Sequence, residues 1–206
     1  VAAAESFVRM RMKRQYRDLV SLIEFGDQAY VLTPFTSDYA SILLSLSLLN
    51  DLTEFYKFPD QGTTIAVALN QSVKLFQAFD FLKASGNLMI VFSDGQDVKA
   101  KSEDLKGLTA DEVMAAALAA QVPIYFIRTV FNQKLGQAFS DPIWKAAIEQ
   151  TGGRFYAAPD EEAIMLALAD IDRRSSGTIS VTQYASQQTR FTTFALLTAL
   201  LWNGSR

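Results

Sequence analysis

Cysteine and histidine are both absent from this chain. Without cysteine there is no disulfide framework, no thiolate metal site and no thiol nucleophile, and the redox compartment stays open. Without histidine there is no Ser-His-Asp triad, no His-based zinc site and no imidazole base. Any metal must therefore be held by oxygen, which favours magnesium, calcium or manganese. Strong charge is missing too. A net charge of -3 gives no reason to expect nucleic acid. No signal peptide is visible at the start, where the basic residues follow the short apolar patch instead of preceding it. What remains is a chain of 206 residues, half hydrophobic and one-fifth charged, which suits one compact α/β domain.

The stretch that organises it is residues 87–97, NLMIVFSDGQD. Leu88 to Phe92 is a continuous apolar run that ends abruptly in Ser93-Asp94-Gly95, which reads as a strand buried on both faces of a parallel sheet. In open α/β sheets ligands bind just beyond the carboxyl ends of the strands, so Asp94 is placed to face a ligand or metal. The same Asp-Gly pair is also ordinary turn chemistry.

The rest alternates around it. A helix is expected over residues 3–17, with Arg9, Arg11, Lys13, Arg14 and Arg17 as a solvated face or a contact for anionic lipid or an acidic partner. Leu19–Phe25 and Ala29–Leu32 form an antiparallel hairpin about Gly26-Asp27, and Pro34 is expected to stop the ladder. Ser37 or Asp38 caps a helix carrying Ile42, Leu43, Leu46 and Leu49 on one side. After an irregular loop, Thr63 stands at or just before the start of a long helix with Ile65, Leu69, Val73, Phe76 and Phe79 on its core face. Thr63 is either an N-cap or a hydroxyl offered to an ion.

Beyond Asp94 the reading continues with a polar loop, a helix from about Thr109 to Ala120, and a second buried strand entered at Pro123. A helix over residues 141–150, a short strand over 154–157 and a helix opened by Pro159-Asp160 follow. Alternating helices and strands argue for a doubly wound, mostly parallel sheet flanked by helices, with the hairpin as its antiparallel edge. The chain divides into a domain over residues 1–174, an extended linker over 175–190, and an apolar run over 191–206. That run is too short to cross a bilayer by itself. It is either a buried terminal helix or the start of a transmembrane span, and the absence of a polar face favours the span.

Several pieces, in order, resemble the von Willebrand factor type A (VWA) domain. Residues 18–38 look like its second and third strands, and GTTIAVAL resembles its threonine loop, with Thr63 five residues before Ala68-Leu69. LMIVFSDGQD resembles its strand-end acidic loop, and TGGRFYAAPDEEAI its last strand and helix. The resemblance implies a metal-ion-dependent adhesion site (MIDAS). In it Mg2+, or Ca2+ or Mn2+, is held by a DxSxS motif after the first strand, by Thr63 and by Asp94. The sequence contains no DxSxS. The strand that should carry it is missing, which leaves a gap between the strands built from Leu19–Phe25 and Leu88–Phe92, and implies residues upstream of Val1. The tail, residues 171–202, is similar to the end of bacterial Bat (aerotolerance) proteins. That resemblance implies a non-enzymatic binding module in the bacterial inner membrane with a periplasmic domain. Its partner would be a protein offering a carboxylate, in a complex assembled with a MoxR-type AAA+ ATPase. A structural subunit with a degenerate ion site is the alternative. A phosphoryl-transfer enzyme is disfavoured because neither GxxxxGK[ST] nor GxGxxG is present.

Overall fold

A computed structural model describes residues 1–14, 18–49, 64–79, 86–94, 110–129 and 141–175. Thr63, the polar loop after Asp94, the linker and the apolar tail lie outside the described residues. The elements in order are α1 (Ala2–Lys13), β1 (Val20–Phe25), β2 (Ala29–Thr36), α2 (Tyr39–Leu49), α3 (Ile65–Ala78), β3 (Met89–Ser93), α4 (Ala110–Ala119), β4 (Ile124–Arg128), α5 (Asp141–Gln150), β5 (Arg154–Ala157) and α6 (Glu161–Arg174).

The strands form two sheets. β3, β4 and β5 make a parallel sheet in the order β3-β4-β5, and β1 and β2 make a separate antiparallel hairpin. The single continuous sheet expected from the alternation is thus divided, among the described residues, between β1 and β3. Two helices bridge the division. On one face α1 sets Ala3 and Phe7 against Tyr125, Ile127 and Leu168, and sets Ala4 beside its own buried Val8 in the cluster with Ile42 and Leu46. On the other face Ile65, Leu69 and Val73 of α3 pack with Met89 and Val91 of β3, and Phe25 of β1 joins that cluster. Every residue of β1 is only half-buried, and in β3 only Met89 and Val91 are fully buried. Burial of β3 on both faces therefore holds only in part, because Ile90 and Phe92 keep some exposure.

Pro34 does not stop the hairpin. β2 runs through it to Thr36, because the ladder carries a bulge there: Leu22 pairs with Thr33 and Val20 with Thr36. One residue of β1 thus opposes two of β2, and a proline is tolerated at such a point since no ladder donor is needed from it. The bulge also accompanies the placing of Phe35 on α3, with its ring 5.0 Å from Phe76 and 5.2 Å from Phe79.

Local capping follows the chemistry of the sequence. Asp38 accepts the amides of Ala40 and Ser41 at 3.1 and 3.2 Å and opens α2. Asp160 accepts the amide of Ala163 at 2.8 Å and opens α6. Thr151 closes α5: its hydroxyl donates to the Ile148 carbonyl and accepts the Ile124 amide at 3.0 Å, which anchors the start of β4.

The basic face of α1 is not all solvated. Arg11 is buried, and its guanidinium holds Asp18 at 2.7 Å and Asp172 at 2.9 Å. Burial alone would lower its pKa, but hydrogen bonds to Asp18 and Asp172 outweigh it and the pKa is raised. Arg14 adds a second contact to Asp172 at 2.7 Å.

Candidate functional site

The carboxyl ends of the parallel strands leave the sheet in step. Ser93 of β3 is in register with Arg128 of β4, which is in register with Ala157 of β5. The Thr129 amide donates to Ser93 and the Ala158 amide to Arg128, each at 2.9 Å, so the ladder holds to the last residue. Asp94 follows immediately, half-buried, at this rim.

The hairpin reaches the same rim. The Gly26 amide donates to Gln28 at 2.8 Å to make the turn, and the Gly26 carbonyl accepts the Thr64 amide at 2.8 Å. Thr64 is the residue before α3. Because α3 packs on β3 and then leads into it, the helix runs back against the strand direction, so its start lies where β3 ends. The end of β1, the start of α3 and Asp94 therefore share one edge of the domain.

Two buried oxygens at this edge have no hydrogen-bond partner among the described residues: the Thr64 hydroxyl and one carboxylate oxygen of Glu24. Thr64 occupies the N-cap position, yet its hydroxyl makes no capping bond. Thr63, the hydroxyl expected from the sequence, lies outside the described residues. Glu24, Thr64 and Arg128 were not singled out from the sequence. The signal for Glu24 was a carboxylate between Ile23 and Phe25 in an otherwise apolar strand end.

Desolvation raises the Glu24 pKa. A raised value in the fold means that folding takes up protons. The stability this group contributes is full below the ordinary Glu value of about 4.3 and is lost as pH rises through the raised value. Glu24→Gln is therefore expected to flatten the fall in unfolding midpoint between pH 4 and pH 7. Midpoints measured at both pH values for both proteins check this, and parallel slopes would contradict it.

Of the metal set implied by the resemblance, Asp94 lies among the described residues and Thr63 does not. Among the described residues no three acidic side chains come close enough to hold a metal ion. Asp94 is at the rim as expected, but the described residues do not complete a cation site by themselves.

Residues 1–96 match the family model of the von Willebrand factor type A domain. No curated protein matches the chain. Among solved structures, BatB from Bacteroides thetaiotaomicron, a conserved hypothetical protein, is similar with a TM-score of 0.59 and 18% identity over 84% of this chain and 87% of that one. An aerotolerance-related membrane protein from Bacteroides fragilis is similar with a TM-score of 0.56 and 17% identity over the same shares, 84% and 87%. A von Willebrand factor type A protein from Catenulispora acidiphila is similar with a TM-score of 0.56 and 14% identity, over 84% of this chain and 37% of that one. At these identities the likeness is one of fold.

Proposed function

We propose that this chain, whose residues 1–96 match the von Willebrand factor type A family model, is a membrane-associated interaction module whose partner docks on the rim around Asp94. The observation that carries this is the Gly26–Thr64 hydrogen bond, which ties the hairpin turn to the start of α3 on the edge where β3 ends. Chain from three separate elements thus meets at one rim, as ligand-binding edges of open α/β sheets do. Membrane association is supported by the likeness in fold to the aerotolerance-related membrane protein of Bacteroides fragilis and by the uncharged run over residues 191–202. On this reading the domain lies on the periplasmic side of the bacterial inner membrane.

Asp94 and Thr63 serve as two oxygen ligands of Mg2+, Ca2+ or Mn2+, with the remaining oxygens supplied from outside the described residues. A hard cation with an open position attracts a carboxylate, so the partner is a protein offering an acidic side chain. A MoxR-type AAA+ ATPase belongs to the same proposed assembly. The module performs no chemistry of its own. A second reading is a structural subunit with a degenerate ion site, and the observation on its side is that no acidic trio stands close enough to hold a metal ion among the described residues.

Capture of partners from detergent-solubilised membranes separates the two readings. Ion-dependent docking predicts that chelator and Asp94→Ala each reduce capture at least about tenfold, the cost of losing a charge-assisted contact of about 1.5–3 kcal/mol. Capture indifferent to both treatments would support the structural reading instead.

A further inference from the structure

The opposite end of the domain carries a second surface. Arg11 and Arg14 of α1 both hold Asp172 of α6, and Arg11 also holds Asp18, so the ends of α1 and α6 and the entry to β1 are bound together. Two residues before Asp172, Asp170 gathers Arg154 at 3.1 Å and Arg174 at 2.8 Å, with Arg173 and the Tyr156 hydroxyl on the same carboxylate. These contacts form two clusters at the same end of the domain, Arg11 and Arg14 about Asp172 and Arg154, Arg173 and Arg174 about Asp170 on another side of α6, and Lys13 stands in the last turn of α1. Against these six basic residues stand Asp18, Asp170 and Asp172, with Asp38 nearby through Tyr39, whose hydroxyl takes the Asp18 amide. Counting Asp38 and the exposed Glu149, which lies in the last turn of α5 just before β5, this end of the domain keeps a surplus of one positive charge on a chain whose net charge is -3.

The basic side chains are also the exposed ones. Arg173 is 79% exposed and Arg14 54%, whereas the Asp170 and Asp172 side chains are 14% and 2% exposed. Asp170 and Asp172 thus lie beneath their guanidinium partners, while Asp38 at the margin is exposed. The chain continues from this same end. From Ser175 to Arg206 the sequence has no acidic residue, and it reaches the uncharged run over 191–202 sixteen residues on.

We propose that this end of the domain rests on a membrane surface through anionic lipid headgroups, with Lys13, Arg154, Arg173 and Arg174 as the contacting side chains. Guanidinium groups suit phosphate oxygens, because a planar fork of donors can bind two at once. Juxtamembrane basic residues are drawn to anionic leaflets over about a Debye length, which brings the patch into range once the neighbouring apolar run is at the bilayer. This inference adds to the proposed membrane association without resting on the rim around Asp94.

The test uses the full chain and vesicles of phosphatidylcholine alone or mixed with phosphatidylglycerol. The readout is the ratio of affinities for the two, since the apolar run contributes to both. Unaltered protein is expected to favour the anionic vesicles, with the preference shrinking as salt is raised. Lys13→Gln with Arg173→Gln should cut the ratio roughly thirtyfold, from about fivefold for each basic residue near the surface. The control pair Lys74→Gln with Lys145→Gln makes the same change in net charge on exposed helix positions elsewhere and should leave the ratio unaltered. Equal affinity for both vesicle types, or an equal fall with the control pair, would overturn the proposal.

Discussion

Asp172→Ala is expected to destabilise the domain by about 3 kcal/mol, at the lower end of the range for breaking a buried ion pair. Asp172 is buried at the end of α6 and accepts from Arg11 at 2.9 Å and Arg14 at 2.7 Å. Removing it takes one of two carboxylates from the buried Arg11 guanidinium, which keeps Asp18 and the Ser175 hydroxyl. Arg14→Ala takes away the other, half-exposed partner and is expected to cost under about 1 kcal/mol. The double change Arg11→Met with Asp172→Leu should recover much of the loss, because neither buried charge is then left facing an apolar one. Urea unfolding of the four proteins checks this. Equal costs for Asp172→Ala and Arg14→Ala would mean that the buried network contributes no more than a surface contact.

Gly153→Ala is expected to cost at least about 3 kcal/mol, beyond the ordinary penalty for overpacking, because the obstacle is backbone. A Cβ at this position would fall onto the carbonyl of Ile124, at the start of the central strand β4. β4 pairs with both β3 and β5, so it cannot shift without disturbing two ladders. The neighbouring Gly152 makes the contrast. Its φ of +85° favours glycine, but a Cβ there would meet nothing. Gly152→Ala should cost only about 1–2 kcal/mol, the penalty of the left-handed conformation. Denaturant midpoints distinguish the two, and equal losses would contradict the close-packing account.

Much of the parallel half was legible because its signals are local. The run Leu88 to Phe92, the Pro123 entrance and the Gly152-Gly153 stop each carry their own chemistry, and β3, β4, α5 and β5 fall within a residue or two of expectation. Pro34 misled because a bulge depends on pairing with another strand, which the proline itself does not encode. Arg11 was read as solvated because its partner Asp172 lies 161 positions away. No helical periodicity reveals a contact of that range. The alternation of helices and strands does not reveal the division into two sheets, because it encodes the order of the elements and not which strands pair.

At the rim, Asp94 was visible as a carboxylate ending an apolar strand, and the structure leaves it at the carboxyl edge of the sheet. Glu24 was hidden, because its burial depends on how the hairpin packs. Thr64 was hidden for a related reason: its place is set by a backbone bond to Gly26, in a distant part of the chain.

The most direct measurement of where the partner docks is photo-crosslinking in native membranes from single reactive residues at two exposed positions. Position 159, just after β5, lies at the Asp94 rim, and position 118, near the end of α4, lies at the opposite edge of the sheet. Docking at the rim predicts a specific adduct from position 159, abolished by Asp94→Ala, and none from position 118. An adduct from position 118 alone, insensitive to Asp94→Ala, would contradict it.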